Sequence, residues 1–204
     1  MTLGKRLVDL ILATALSLIL ALPFGLLILY LLWKNGRPVF YVAERMRAPG
    51  QPFALWKLRT MSVVPAEAGV SGGNKTSRIN ATGRFLRRTR LDEVPQLYNV
   101  LKGDMSFVGP RPPLRLYVER FPALYAQVLR SRPGITGLAT LVFHRHEEKL
   151  LARCHSAAET DAVYARRCVP RKAQIDLIYQ RRRSVAMDFG LMALTLARAL
   201  KLSK

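Results

Sequence analysis

The 204-residue sequence predicts an α+β fold, mainly helical. Its expected parts are an N-terminal re-entrant membrane helix hairpin, a small β-hairpin, and amphipathic interfacial helices around a compact cytoplasmic core. Three observations predict this. An uncharged run from Leu10 to Trp33 is interrupted near its middle by Pro23. Alternating residues flank the turn sequence Ala48-Pro49-Gly50-Gln51. Apolar residues recur at helical spacing in several stretches after Thr82. Composition agrees. The net charge of +20 points to a polyanionic partner, and half the residues are hydrophobic, so a membrane surface reconciles the two better than nucleic acid does. The expected divisions are an anchor at 1–36, a central domain at 37–183 and an interfacial helix at 184–204.

The anchor comes first. As a continuous helix, Leu10 to Trp33 would be about 36 Å long, enough to cross a core of about 30 Å. A spanning helix is therefore the default. Three features favour a re-entrant hairpin. Pro23 and Gly25 predict a kink. Ser17 could satisfy a freed backbone group in lipid. Both flanks are basic, with Lys5 and Arg6 before and Lys34 and Arg37 after, so the positive-inside rule gives a span no orientation. A chain that bends at Pro23 keeps both ends cytoplasmic.

Arg37 to Met61 reads as a β-hairpin. Phe53, Leu55, Lys57 and Arg59 share one face of the returning strand, which would aim two cations at a phosphate or simply at solvent. Ser62 to Thr82 reads as a flexible loop that ends in anion-friendly groups at Asn74 to Arg78. It is not a P-loop, because the glycine–lysine spacing is wrong.

The centre of the chain is Arg84 to Pro113. Arg84, Arg87, Arg88 and Arg90 lead into Asp92-Glu93. Leu91, Val94, Leu97, Tyr98 and Leu101 predict a helix, with Pro95 in its first turn and Gly103 as its stop. Asp92 and Glu93 could simply cap that helix and complement its dipole. The surrounding cations exceed what one cap needs. Arg111 lies in Gly-Pro-Arg-Pro-Pro, where a stiff backbone would hold a guanidinium for bidentate phosphate binding.

Beyond Pro113, Leu114 to Arg130 reads as helix broken at Pro122, Arg132-Pro133-Gly134 as a turn, and Ile135 to Phe143 as extended or helical. Glu147 to Arg167 reads as one polar surface helix, followed by a helix from Lys172 and an amphipathic helix from Ser184 to Lys204. Cys154 and Cys168 read as cytosolic thiols. With His144, His146 and His155 they show no repeated metal-ligand spacing, and the role of 141–168 stays open.

The run Leu91 to Pro112 resembles the core of the bacterial sugar transferases, the monotopic phosphoglycosyl transferases. Supporting stretches are Pro38 to Tyr41, Glu44-Arg45, Phe53 to Met61 and Arg132 to Gly137, in the same order from Lys5 to about Ala139. The resemblance implies an enzyme that moves a sugar-1-phosphate from a UDP-sugar to undecaprenyl phosphate and releases UMP. It places the enzyme at the bacterial inner membrane, with its catalytic domain on the cytoplasmic face and anionic lipids around it. It implies that Asp92 attacks the phosphate and holds the phosphosugar covalently. Attack on an anion needs charge neutralisation, so Mg²⁺ is expected, with Glu93 its best ligand and Asp176 a weaker one. Arg111 is the expected phosphate clamp, then Arg88, with Lys57 and Arg59 behind. The family's kink would fall at Pro23, although Leu22 stands where some relatives have serine. Two rival classes are a membrane-tethered nucleic-acid-binding scaffold and a glycan enzyme without a covalent intermediate. Neither a recognition-helix pattern nor an aromatic RNA motif supports the first. No nucleic acid is expected as a partner, a homodimer is left open, and the sugar and glycan pathway are not readable.

Overall fold

The computed structural model describes residues 1–62 and 78–202, so the loop reading at 63–77, including Asn74 to Ser77, lies outside the described residues. Helix α1 (Leu3–Asn35) is followed by the hairpin β1 (Phe40–Ala48) and β2 (Gln51–Leu58), then by α2 (Ala81–Thr89). A single 3-10 turn (Leu91–Glu93) leads into α3 (Gln96–Lys102) and strand β3 (Ser106–Val108). Helices α4 (Arg115–Arg120) and α5 (Pro122–Val128) precede β4 (Gly134–Thr136), which pairs parallel with β3. Four helical segments complete the chain: α6 (Leu138–Leu151), α7 (Ala157–Val163), α8 (Val169–Arg182) and α9 (Val185–Leu202). The fold is mainly helical with one small β-hairpin, as expected.

The anchor is one helix, not two arms joined at a turn. Pro23 lies inside α1 and is exposed. Its missing N–H removes one backbone bond, whereas a break would strand several in an apolar setting. By length and composition α1 is long enough to cross a membrane. One stripe of it, through Asp9, Ala13, Leu20, Phe24, Leu27 and Leu31, packs on the rest of the chain. The other stripe is Leu7, Ile11, Leu18, Leu22, Leu29 and Trp33, each 58–83% exposed. An apolar stripe of that length needs a cover other than water.

Both ends of α1 are tied to the same body. Near its start, Lys5 Nζ lies 2.6 Å from Asp188 Oδ2 on α9. Arg6 donates to the Val100 and Leu101 carbonyls at 2.6 and 2.9 Å, satisfying the C-terminal end of α3. At its close, Leu31 packs with Val39, Leu58 and Leu86. Arg59 there donates to the Asn35 and Gly36 carbonyls at 2.8 and 3.1 Å.

The hairpin forms as its alternation predicts, with Phe40 opposite Leu58 and Tyr41 opposite Lys57. Gly50, at φ 70°, makes its turn. Asn99, fully buried, locks α3 to β2 by donating to Ala54 O at 2.7 Å and accepting from Trp56 N at 3.2 Å. The loop Gly109 to Pro113 is stapled to β4: Gly109 N donates to Thr136 O at 2.9 Å and Gly134 N to Pro110 O at 2.8 Å. A Cβ on Gly134 would stand 2.2 Å from Gly109 N, and one on Gly137 2.1 Å from Gly109 O. The backbones approach so closely that only glycine fits, which explains why two Gly-containing motifs far apart in sequence occur together.

Two sequence expectations need correction. Glu147 to Arg167 is not one helix. It comprises the end of α6, a break at 152–156, then α7 and a π-helical turn (Tyr164–Cys168). The break has a local cause, a capping arrangement in which Ser156 Oγ accepts from Glu159 N at 3.1 Å and Glu159 accepts from His155 N at 2.8 Å. The helix expected to open at Asp92 begins at Gln96 instead. Pro95 occupies its N-cap without a side-chain bond, so Asp92 does not cap it.

Candidate active site

The site begins with the face choice on β2. Phe53 and Leu55 turn inward, and Lys57 follows them two residues on, so its amine is carried into the fold rather than into water. There Nζ meets Glu93 Oε1 at 2.9 Å. Glu93 is placed from the other side by Arg90, the only non-glycine described residue with positive φ, at 61°. Arg90 closes α2 and opens the 3-10 turn, and that reversal costs on the order of 1 kcal/mol. It brings Arg90 Nη1 to 3.2 Å from Glu93 Oε2. Each oxygen of Glu93 therefore holds a cation. Burial alone would raise its pKa, but Lys57, Arg111 and Arg90 outweigh burial and hold it at about 2. Lys57 is itself pushed down, first by burial and also by Arg111, while Glu93 pulls it back.

Asp92 is different. It is buried, yet it makes no hydrogen bond or ion pair among the described residues. Burial raises its pKa, Glu93 adds to the rise, and Lys57, Arg87 and Arg90 oppose it. Two adjacent carboxylates thus carry different roles: one is fixed as an anion by direct contacts, and the other is left without a protein partner.

The remaining expected residues divide. Arg111 is exposed on its stapled loop, and its charge acts on Glu93, Lys57, Arg45 and Lys172. No hydrogen bond occupies its guanidinium among the described residues. Arg88 is exposed and is not among the principal charges on either carboxylate; Arg87 is. Arg87 Nε donates to Thr60 Oγ1 at 2.8 Å. Its neighbour at i−4, Gly83, explains the closeness, since a Cβ there would lie 2.1 Å from Thr60 O. Arg59 is engaged at the end of α1. Asp176 lies on α8, where burial raises its pKa to about 7 against Lys172 and the Ala139 N–H. Its Oδ1 has no hydrogen-bond partner among the described residues, and Lys172 connects it to Glu147 and Tyr164 rather than to Glu93. The structure therefore brings together Lys57, Asp92, Glu93 and Arg111, adds Arg87 and Arg90, and leaves Arg59 and Asp176 outside that group.

No cluster of three or more His, Cys, Asp or Glu side chains among the described residues is placed to hold a metal. Mg²⁺ needs only one or two carboxylates when phosphates and water fill its other positions. Asp92, with both oxygens free of partners among the described residues, fits that need. Glu93 fits it only by releasing Lys57 or Arg90. The site as a whole is a buried carboxylate rimmed by cations, an arrangement suited to an anionic substrate and a nucleophile or metal ligand beneath it.

A family model described as bacterial sugar transferase matches residues 1–202. The chain is similar to the UDP-glucose:undecaprenyl-phosphate glucose-1-phosphate transferase of Klebsiella pneumoniae, 38% identical over 167 residues, covering 79% of this chain and 36% of that one. It is also similar to the undecaprenyl-phosphate galactose phosphotransferase of Salmonella typhimurium, 37% identical over 150 residues, covering 66% and 31%. A third relative is the exopolysaccharide production protein ExoY of Rhizobium meliloti, 36% identical over 152 residues, covering 66% and 67%. The chain spans about a third of the length of the first two relatives.

Proposed function

The chain belongs to the bacterial sugar transferase family, and from that premise we propose that it transfers a sugar-1-phosphate from a UDP-sugar to undecaprenyl phosphate, releasing UMP, at the cytoplasmic face of the membrane. The observation that carries this is Asp92, a buried carboxylate without a partner among the described residues, beneath a rim of cations. In the reaction an Asp92 oxygen forms a bond to the phosphorus that bears the sugar, and the bond from that phosphorus to the UMP oxygen breaks. An oxygen of undecaprenyl phosphate then attacks the same phosphorus and returns Asp92 as carboxylate.

The residues divide the work. Arg111, unpaired and held on a rigid loop, grips the donor's phosphates. Lys57 and Arg90 fix Glu93, and with Arg87 they oppose the rise that burial imposes on the pKa of Asp92. Asp92 would hold a Mg²⁺ ion, which when bound would supply charge neutralisation for the donor's phosphates; Asp176 lies on α8 against Lys172, outside this group. The different sugars in the relatives' names leave the donor's sugar to be measured. Purified protein with Mg²⁺, undecaprenyl phosphate and a panel of UDP-sugars is expected to release UMP with one donor. Folded, membrane-bound protein that releases none, and instead binds nucleic acid in a salt-sensitive way, would overturn the reading.

The anchor is monotopic in this account. A helix tied to one body at both ends, through Lys5 and Arg6 at the start and Arg59 at the close, keeps both of its ends on the same side of the bilayer. Its exposed stripe would lie in lipid, holding Asp92 near the headgroups. Tags on either terminus are expected to be cleaved only from the cytoplasmic side of sealed vesicles. Protection of the N-terminal tag alone would mean that α1 spans.

A further inference from the structure

A cavity of about 480 Å³ lies at the end of β2 and α3 away from Asp92. Arg6, Arg47, Arg130 and Arg132 line it, with Leu3 and Gln51 at its wall. Gln51 opens β2 and Lys57 nearly closes it; six strand residues put the cavity about 20 Å from the Lys57–Glu93 pair. It is not part of the site described above.

Four guanidiniums converge here with little to balance them. Arg6 is partly committed to the end of α3. Arg47 donates to Gln51 Oε1 at 2.9 Å and stands 3.9 Å from Asp104. Arg130 is exposed, with no side-chain hydrogen bond among the described residues. Arg132 has its Nη1 buried with no hydrogen-bond partner among the described residues. Burial, then Arg6 and Arg47, press against the charge of Arg132, while Asp9 and Asp104 favour it. A cluster of cations with so few counter-charges is costly, and an anion in the cavity would offset that charge.

The wall indicates which anion. Leu3 is 91% exposed and continues the apolar stripe of α1 through Leu7 and Ile11. An anionic head beside an exposed apolar track matches a molecule with both parts. We infer that the cavity binds the phosphate of an anionic phospholipid, whose acyl chains lie along the exposed stripe of α1. The phosphate sits between Arg130 and Arg132, where guanidiniums hold it in bidentate fashion. This rests on the membrane reading of α1 and adds a discrete lipid site to it.

Native mass spectrometry of the full chain in mild detergent tests the inference. One phosphatidylglycerol is expected to be retained per chain, and no phosphatidylcholine. The variant Arg47→Gln/Arg130→Gln is expected to bind phosphatidylglycerol about thirtyfold more weakly. Arg181→Gln/Arg182→Gln removes the same charge from exposed positions on α8 and is expected to keep the lipid. Equal retention in all three proteins, or of both lipids, overturns the site. Retention of millimolar pyrophosphate in place of lipid, lost in the cavity variant, overturns the membrane source. Wild type and both variants are expected to partition equally into phosphatidylcholine vesicles. If wild type does not partition, the membrane reading fails and takes the inference with it; if it partitions but retains no lipid, only the inference fails.

Discussion

Asp92→Asn is expected to lower UMP release by at least about 10⁴-fold while the protein stays folded and membrane-bound. The size follows from removing the nucleophile, for which no neighbour substitutes. Glu93 is the only other carboxylate at the site among the described residues, and both its oxygens are held by cations. The fold should tolerate the change, because Asp92 makes no hydrogen bond or ion pair among the described residues. Asparagine is nearly isosteric and removes a charge that burial disfavours. Activity and stability should therefore move apart: turnover collapses while the thermal midpoint holds or rises slightly. A midpoint several degrees lower would mean that Asp92 has a structural role.

Lys57→Met is expected to damage both properties. The methionine keeps the apolar stem but leaves Glu93 with one partly exposed partner, Arg90. Removing one member of a buried pair costs about 3 kcal/mol. The pH dependence identifies the cause. Glu93 has its folded pKa depressed from 4.5 to about 2, so its contribution is full above pH 4.5 and is lost as pH falls through 2. The stability gap between wild type and Lys57→Met should therefore narrow across that window. Asp92, whose pKa is raised, contributes in the opposite sense and favours folding on the acid side. For activity, Lys57 holds the pKa of Asp92 down, so the acid limb of kcat/KM should move to higher pH in the variant. Glu93→Gln should move it to lower pH, since Glu93 is one cause of the raised value. Limbs that stay in place would remove Asp92 from the role of titrating group.

Much of this site was legible in the sequence, and the parts that were not have physical reasons. The hairpin could be read because a Pro-Gly turn and a two-residue alternation are local signals. Asp92, Glu93 and Arg111 could be read from residue chemistry and a recognisable motif. The strand face of Lys57 is legible because it is set by parity, and that face carries its amine to Glu93. Arg59 shares that parity but lies past the end of β2, so it meets the carbonyls closing α1 instead. Choosing between Arg87 and Arg88 required knowing which face of α2 meets Thr60, and Gly83 four residues earlier was the missed signal. The break at Ser156 was also missed, although Ser-x-x-Glu was present to predict it. Asp176 is suggested by residue chemistry alone, and its neighbours are set only by how α8 packs on α6.

Intact-protein mass spectrometry on the wild-type chain, incubated with its UDP-sugar and Mg²⁺ but no lipid acceptor, tests the central claim most directly. The account predicts one UMP released per chain, a mass gain of one phosphosugar, its location on Asp92, and loss of the adduct when undecaprenyl phosphate is added. UMP release that occurs only when the acceptor is present, with no adduct at any time, would contradict it and point to direct transfer between the two substrates.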